Sequence, residues 1–311
     1  MRVLITGGLG FIGTNLALRC LNLGWETVIV DNGASKYHTF RKNLIYNTGN
    51  PKIYQENLKS FLITSKFKKF DVIFHLAAQP SVLYSMEQPY KSFVNNVDDT
   101  TLLLITETLS RNPAARIVFA SSAAVYGNVT SLPINESDTK LPVSPYGLHK
   151  YFGEQLLSLH ARIHNLDCIS LRYFNVFGPY QFATGAYATA VSAWLNSIKN
   201  NLPLRKDGTG EQTRDMVYVK DIVEANILAA TAKDKFNGEA VNIATGREIS
   251  NNQILDMLSK RFKFEITEAP FRAGDVFKIF ANVSAAKQLL DFESQYTFEQ
   301  ALEETIQSLS L

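Results

Sequence analysis

The stretch Thr6-Gly7-Gly8-Leu9-Gly10-Phe11-Ile12-Gly13 decides the fold. It closes a β-branched run, Val3–Thr6, and opens a helix-like segment, Phe11–Leu23. Each glycine has its own reason. Gly7 permits a tight turn, Gly10 lets the backbone approach a pyrophosphate, and Gly13 lets helix and strand pack closely. The helix start then offers free N–H groups and a partial positive charge to phosphates. The spacing is GxxGxxG, and glycines alone also suit a tight turn with no ligand. Context favours the ligand. Asp31 ends the next strand-like run, eighteen residues beyond Gly13. A carboxylate there accepts hydrogen bonds from both adenosine ribose hydroxyls and repels a 2′-phosphate, which favours NAD over NADP.

Outward from this stretch the chain alternates between two periods. Short apolar runs at Thr27–Val30, Val72–His75 and Ile117–Ser121 are separated by helical segments such as Tyr90–Ser110. Strands alternating with helices predict an α/β protein with a Rossmann-type, doubly wound parallel sheet. A helical pattern runs from Tyr146 to His164, and Ile169–Phe174 reads as a further strand. After Gly178-Pro179 the pattern loosens, with helices expected at 187–199, 219–233, 250–261 and 298–308. The expected division is an NAD-binding Rossmann domain over 1–175, with a return segment near 214–245. A smaller C-terminal α/β substrate-binding domain then covers 176–311.

Composition excludes several classes of function. The 311 residues are 46% hydrophobic and 19% charged with a net charge of +2, as in an ordinary soluble protein. Nothing suggests nucleic-acid or anionic-membrane binding. Lys66, Lys68 and Lys69 read as a solvated loop. Cys20 and Cys168 sit in apolar runs and read as buried structural thiols. No signal peptide and no bilayer-spanning run is visible, so a cytoplasmic location is expected. His160 and His164 have zinc-ligand spacing, but Ala161 stands where a metalloprotease has its glutamate and no third ligand is evident, so no metal site is expected. His75 closes an apolar strand and reads as a packed, hydrogen-bonded residue.

Tyr146 and Lys150 lie four residues apart, on one face of a helix. A nearby ammonium favours the phenolate and is expected to lower the tyrosine pKa, fitting Tyr146 as a general base on a substrate hydroxyl. Ser121 and Ser122 end the preceding strand, where ligands sit in open α/β sheets. Either serine also suits a helix cap or turn.

Together these features resemble the extended short-chain dehydrogenase/reductases of the nucleotide-sugar epimerase/dehydratase family. The likeness rests on TGGLGFIG at 6–13, HLAAQ at 75–79, SSAAVYG at 121–127, YGLHK at 146–150, RYFNVFGP at 172–179 and GEQTRDMVYVKDI at 210–222. The resemblance implies a catalytic set of Ser122, Tyr146 and Lys150. It implies NAD contacts from Gly7, Gly10, Phe11, Ile12, Gly13, Asp31, Asn32, Asn57, Leu58, Leu76, Ala77, Ala78, Gln79, Asn96, Tyr146, Lys150 and Tyr173. It also implies a homodimer, usually built through a four-helix bundle.

In that family the tyrosine removes the O4 proton while C4 gives up a hydride. Related dehydratases carry Asp-Glu just after the catalytic Thr, and related UDP-xylose synthases a Glu at the second position. This chain has Ala123-Ala124 there, which resembles the UDP-galactose 4-epimerase pattern. By motif position the substrate contacts are Ser81, Ser122, Ala123, Tyr146, Asn175, Ala188, Arg214, Arg272 and Asp275, the arginines suiting diphosphate oxygens. Gly185-Ala186-Tyr187-Ala188 and Trp194 resemble UDP-N-acetylglucosamine 4-epimerases. Phe277-Lys278-Ile279 after Gly274-Asp275-Val276, Pro179-Tyr180-Gln181, and Asn57 in place of an Asp depart from the usual forms. The expected activity is NAD-dependent 4-epimerisation of a nucleotide sugar, with UDP-hexose or UDP-N-acetylhexosamine as the expected substrate, through a transient 4-keto intermediate with Tyr146 as base. A reductase, dehydrogenase or 3,5-epimerase of the same family, and a non-catalytic NAD-binding regulator, are the alternatives.

Overall fold

The computed structural model describes residues 1–129, 131–182, 189–271 and 276–309. In chain order the first half comprises β1 (Arg2–Thr6), α1 (Phe11–Asn22), β2 (Glu26–Asp31), α2 (His38–Thr48), β3 (Lys52–Gln55), α3 (Leu58–Leu62), β4 (Val72–His75), α4 (Val82–Glu87), α5 (Pro89–Phe93), α6 (Leu103–Arg111), β5 (Arg116–Ser122) and α7 (Pro145–His164). The second half comprises β6 (Cys168–Tyr173), β7 (Asn175–Phe177), α8 (Ala190–Lys199), β8 (Leu204–Asp207), β9 (Thr213–Arg214), β10 (Met216–Tyr218), α9 (Val219–Thr231), β11 (Asn237–Ile243), β12 (Ile249–Ser250), α10 (Asn251–Ser259), β13 (Ile266–Ala269), α11 (Ser284–Leu290) and α12 (Phe298–Ser308).

Seven strands form one sheet in the order β11-β6-β5-β4-β1-β2-β3, every pair parallel. The expected Rossmann-type sheet is therefore present. Chain order reverses between β1 and β4, and a doubly wound sheet opens its ligand crevice at that point, outside the strand carboxyl ends. The strands are apolar on both faces because alternate side chains enter opposite layers. Val3 and Ile5 join Leu16 and Ile29 in one core layer. Leu4 joins Val28, Ile73 and Leu157 in the other. Each such fully buried Leu, Ile or Val contributes about 1.5–3 kcal/mol. A third core, around Trp194, Tyr218, Leu255 and Leu302, lies in the C-terminal lobe.

Three local outcomes differ from the sequence reading. β3 is a real edge strand, but its Lys-Ile-Tyr-Gln run offers little apolar signal. The expected helix Tyr90–Ser110 changes register, with a π-helical stretch over Val94–Leu102 between α5 and α6. Helix 187–199 begins at Ala190 among the described residues. Helix 298–308 has the expected bounds.

Candidate active site

The glycine loop lies at the switch point. Gly7 has φ +71°, and a Cβ there would sit 2.9 Å from the Ala77 backbone. At Gly13 a Cβ would sit 2.3 Å from the Gly7 carbonyl oxygen, so the start of α1 presses directly on the turn. Gly10 is the extended residue before α1, and no side chain caps that helix. The first N–H groups of α1 thus face outward beside partly buried Phe11 and Ile12. This cradle fits a pyrophosphate.

Asp31 stands one strand away. Its Oδ2 accepts from Leu9 N at 2.9 Å and its Oδ1 from Gly33 N at 2.8 Å. Burial raises its pKa, while these two N–H groups and the Arg41 cation pull it back. Each oxygen keeps a lone pair for a ribose hydroxyl. Asn32 is exposed and accepts from Ala34 N at 3.0 Å. Asn57 is exposed just before α3, and Leu58 is buried. β3 pairs with β2 at Asp31 and Gln55, which places both residues near that carboxylate.

The loop after β4 crosses the same crevice. Ala77 N donates to Thr6 Oγ1 at 3.1 Å, and Leu76 N to Thr6 O at 3.2 Å. Ala78 is partly buried. Asn96, from the π-helical stretch, clamps Gln79 by accepting from its N–H at 2.6 Å and donating to its carbonyl at 3.1 Å. The sequence suggests Asn96 as a cofactor contact; in the structure its amide shapes the loop. His75 accepts at Nδ1 from Thr6 and donates from Nε2 to Thr101, because the Thr101 hydroxyl itself donates to Asn96 O. Burial pushes His75 down to about 3, so it is a neutral packed residue, as its sequence context suggests.

The catalytic candidates meet across β5 and α7. Ser144 caps α7 by accepting from Gly147 N at 3.1 Å, and Pro145 occupies its first turn. A Cβ at Gly147 would lie 2.5 Å from Ala124 O, so α7 can press against the turn after β5. That contact brings Tyr146 into hydrogen bonding with Ser122. Ser122 Oγ also accepts from Ala124 N at 3.2 Å. Lys150 is 5% exposed, and its Nζ donates to Ala120 O at 2.7 Å. Its Nζ stands 6.0 Å from the centre of the Tyr146 ring.

One electrostatic expectation is corrected here. Burial raises the Tyr146 pKa, and the Ser122 hydrogen bond lowers it by less. Lys150 is too far, and too engaged with Ala120, to reverse this. Lys150 is itself pushed down to about 8 by burial, with Glu154 acting against the shift. The chain's own groups therefore poise Ser122, Tyr146 and Lys150 geometrically. The positive nicotinamide ring of NAD, when bound, supplies the further charge that favours phenolate.

Residues 3–244 match the NAD dependent epimerase/dehydratase family. The chain belongs to that family. A Methanocaldococcus jannaschii protein provisionally named UDP-glucose 4-epimerase is 36% identical over 296 residues, covering 92% of each chain. A UDP-N-acetyl-alpha-D-glucosaminuronate decarboxylase from Bacillus cytotoxicus is 32% identical over 330 residues, covering 98% of this chain and 97% of its own. Among solved structures, UDP-N-acetylglucosamine 4-epimerase from Methanobrevibacter ruminantium M1, in complex with UDP-N-acetylmuramic acid, superposes with a TM-score of 0.90. It shares 32% identity and covers 99% of this chain and 98% of its own. The chain is thus an NAD-dependent enzyme of the epimerase/dehydratase family, and its glycine cradle and Asp31 fit that cofactor.

The residues expected to contact substrate come from both halves of the chain. Ser81 caps α4 by accepting from Tyr84 N at 3.1 Å. Ser85 is fully buried and accepts from Tyr146 N at 3.1 Å, so it seats the start of α7. Ala123 begins a 3-10 turn, Ala123–Val125, immediately after Ser122. Asn175 opens β7 and donates from its backbone N–H to Asp215 O at 3.1 Å. Arg214 is half-buried and donates to Thr213 O at 2.8 Å. The Tyr173 hydroxyl pairs with Asn226 in the core beneath α9, at 2.8–3.0 Å, rather than with a group in the crevice. Ala188, Arg272 and Asp275, with Gly185, Ala186 and Tyr187, lie outside the described residues.

The structure adds residues that sequence reasoning passes over. Asp215, next to Arg214, is fully buried. Its Oδ1 accepts from Thr245 N and Oγ1 at 2.8 and 2.7 Å, and its Oδ2 from Gly246 N and Ala281 N at 3.0 and 3.3 Å. Glu154, one turn beyond Lys150, binds Arg172 in a two-pronged ion pair and accepts from Ser121 Oγ at 2.5 Å. An acidic residue four positions after Lys150 was the available signal, but its partner on β6 is not adjacent in sequence. Cys20 and Cys168 are both buried, with their thiols pushed up to about 12. No described helix is long and apolar enough to cross a membrane.

Proposed function

We propose that the enzyme interconverts C4 epimers of a nucleotide sugar, with UDP-hexoses or UDP-N-acetylhexosamines as substrates. The observation that carries this reading is the Ser122–Tyr146 hydrogen bond with Lys150 beside it, followed at once by Ala123 and Ala124. Tyr146 takes the O4 proton, Ser122 holds that oxygen, and Lys150 is held beside the Tyr146 ring by its bond to Ala120 O. NAD, held by the glycine cradle and Asp31, would supply the acceptor for the C4 hydride and its donor on return, with no net redox change per turnover. The 4-keto sugar presents its other face before the hydride returns. Ala123 and Ala124 carry no group that transfers a proton, so the turn after Ser122 offers nothing to drive elimination across C5 and C6.

The uridine diphosphate is assigned to Asn175, Arg214 and Arg272, with Ser81, Ala188 and Asp275 toward the sugar. These roles follow the family's motif positions. The relatives named above act on or bind UDP-linked sugars, which supports UDP as the nucleotide.

We also propose a homodimer. Leu148, Phe152, Leu159 and Ile163 are exposed along one face of α7, next to exposed Met86, Tyr90 and Phe93. An apolar stripe of this kind is a candidate for self-complementary pairing about a two-fold axis.

The deciding experiment incubates purified enzyme with UDP-glucose, UDP-galactose and their N-acetylated counterparts, without added reductant, and follows products by proton NMR. Interconversion of gluco and galacto forms is expected. Net oxidation or reduction of any of the sugars, or inertness toward all four with NAD bound, would overturn the reading.

A further inference from the structure

Arg41, on α2, joins three segments that are distant in sequence. One amino group donates to Leu9 O and to Ser35 Oγ, both at 3.1 Å. The other donates to Tyr180 O at 2.9 Å. Leu9 belongs to the glycine loop, and Leu9 N is the group that holds Asp31. Tyr180 belongs to the segment that leaves the C-terminal lobe after β7. One guanidinium therefore spans from the cofactor loop to the other lobe, which a single lysine ammonium could not do in the same geometry. Arg41 is only 5% exposed, and its Nε has no partner among the described groups.

Aromatic packing reinforces the same crossing. Phe182 stacks on Tyr37 with ring centres 4.0 Å apart, and meets Phe40 edge-on at 5.6 Å. The Arg41 guanidinium lies 5.5 Å from the Phe182 ring. Asn15, on α1, donates to Pro179 O at 3.1 Å. Tyr180 adopts φ +69°, a left-handed conformation that a tyrosine keeps only when its surroundings impose it. The strap 179–182 is thus held to α1, α2 and the turn before α2 at three of its four residues, Pro179, Tyr180 and Phe182, while Gln181 donates to Val176 O at 3.1 Å.

We propose that Arg41, Tyr37 and Phe182 form a clasp that closes the adenosine end of the cofactor site and sets how slowly NAD leaves. A cofactor regenerated in every turnover has no need to exchange, so a site tied shut at the adenosine end is compatible with continuous catalysis. The clasp works at Leu9, Asp31 and the strap, away from Tyr146. Arg41 is a positioning residue: it holds Leu9 and the strap in place, and its charge helps keep Asp31 ionised toward the ribose.

The test reads cofactor exchange, independently of which sugar the enzyme takes. Wild type, Arg41→Met, Phe182→Ala and Phe182→Tyr are loaded with isotopically labelled NAD, and exchange against excess unlabelled NAD is timed. Arg41→Met is expected to exchange about 10–100-fold faster, as for the loss of charged hydrogen bonds. Phe182→Ala is expected to exchange faster as well, and Phe182→Tyr, which keeps the ring, at the wild-type rate. Thermal melting of NAD-free protein checks that folding is intact. If Arg41→Met fails to fold, Phe182→Ala decides. Wild-type exchange rates in both Arg41→Met and Phe182→Ala overturn the clasp alone, whereas wild-type protein unable to bind NAD overturns the cofactor assignment too.

Discussion

Arg172 and Glu154 meet fork to fork inside the protein, with Nε–Oε1 at 2.9 Å and Nη2–Oε2 at 2.7 Å. Both side chains are almost fully buried. The pair ties α7 to β6 one turn beyond Lys150. Arg172 also donates to the Tyr126 hydroxyl at 2.8 Å, which in turn donates to Asn242 Oδ1 at 2.6 Å. The helix that carries Tyr146 and Lys150 is therefore anchored through the sheet to β11.

Glu154→Gln leaves Arg172 as an uncompensated buried charge, and the expected loss is about 3–5 kcal/mol of unfolding free energy. Chemical denaturation measures it. Adding Arg172→Met to Glu154→Gln should recover much of the loss, since the stranded cation is then gone. A loss below about 1 kcal/mol in the single variant, the range of an exposed pair, would contradict the buried-pair assignment.

Lys150→Met should abolish most turnover and change how stability depends on pH. The folded-state pKa of Lys150 is about 8 against an unfolded value of 10.5. Between these pH values the unfolded chain holds more protons than the folded one, so wild-type stability rises with pH across that window. Relative to Lys150→Met, the wild type should gain about 3 kcal/mol from pH 8 to 10.5. Parallel stability curves for the two proteins would show that burial does not depress the Lys150 pKa.

Tyr146→Phe should lower kcat on the order of 10²–10⁴-fold while keeping NAD bound. Steady-state assays with cofactor content measured on the same sample separate the two effects. Near-normal turnover would remove Tyr146 from the role of base.

Ile163→Glu and Phe152→Glu place a charge on the exposed face of α7. Light scattering after gel filtration should show a dimer for wild type and a monomer for the variants. A monomeric wild type would dispose of the proposed pairing.

The parallel sheet was legible because β1, β4 and β5 each hold an unbroken apolar run of at least three residues, and β6 alternates apolar with polar residues, with helices between them. The cofactor loop was legible because its glycines answer steric needs that no other residue meets. β3 was not, since Lys52 and Gln55 give it no apolar period. The π-helical register of Val94–Leu102 was also hidden, because periodicity alone does not reveal where a helix widens to let Asn96 reach Gln79. Side-chain duties were harder still. Tyr173, Asn96 and Ser85 take their roles from partners more than fifteen residues away in the chain, and Arg41 and Asp215 became visible only when the fold assembled their acceptors and donors. The direction of the Tyr146 shift depended on burial, which a helix-face argument does not measure.

The knot at Asp215 bears on how an epimerase can work. With four donors from Thr245, Gly246 and Ala281 fixed to one carboxylate, Arg214 is set on a support bolted to the end of β11 and to the chain before α11. The strand that carries Arg214 is therefore tied at Asp215 to both of those segments. Under the proposed function, a diphosphate gripped by Arg214 would be fixed to that scaffold, and inversion at C4 would call for rotation of the sugar about its own diphosphate linkage, like a key turning in a lock whose barrel does not move.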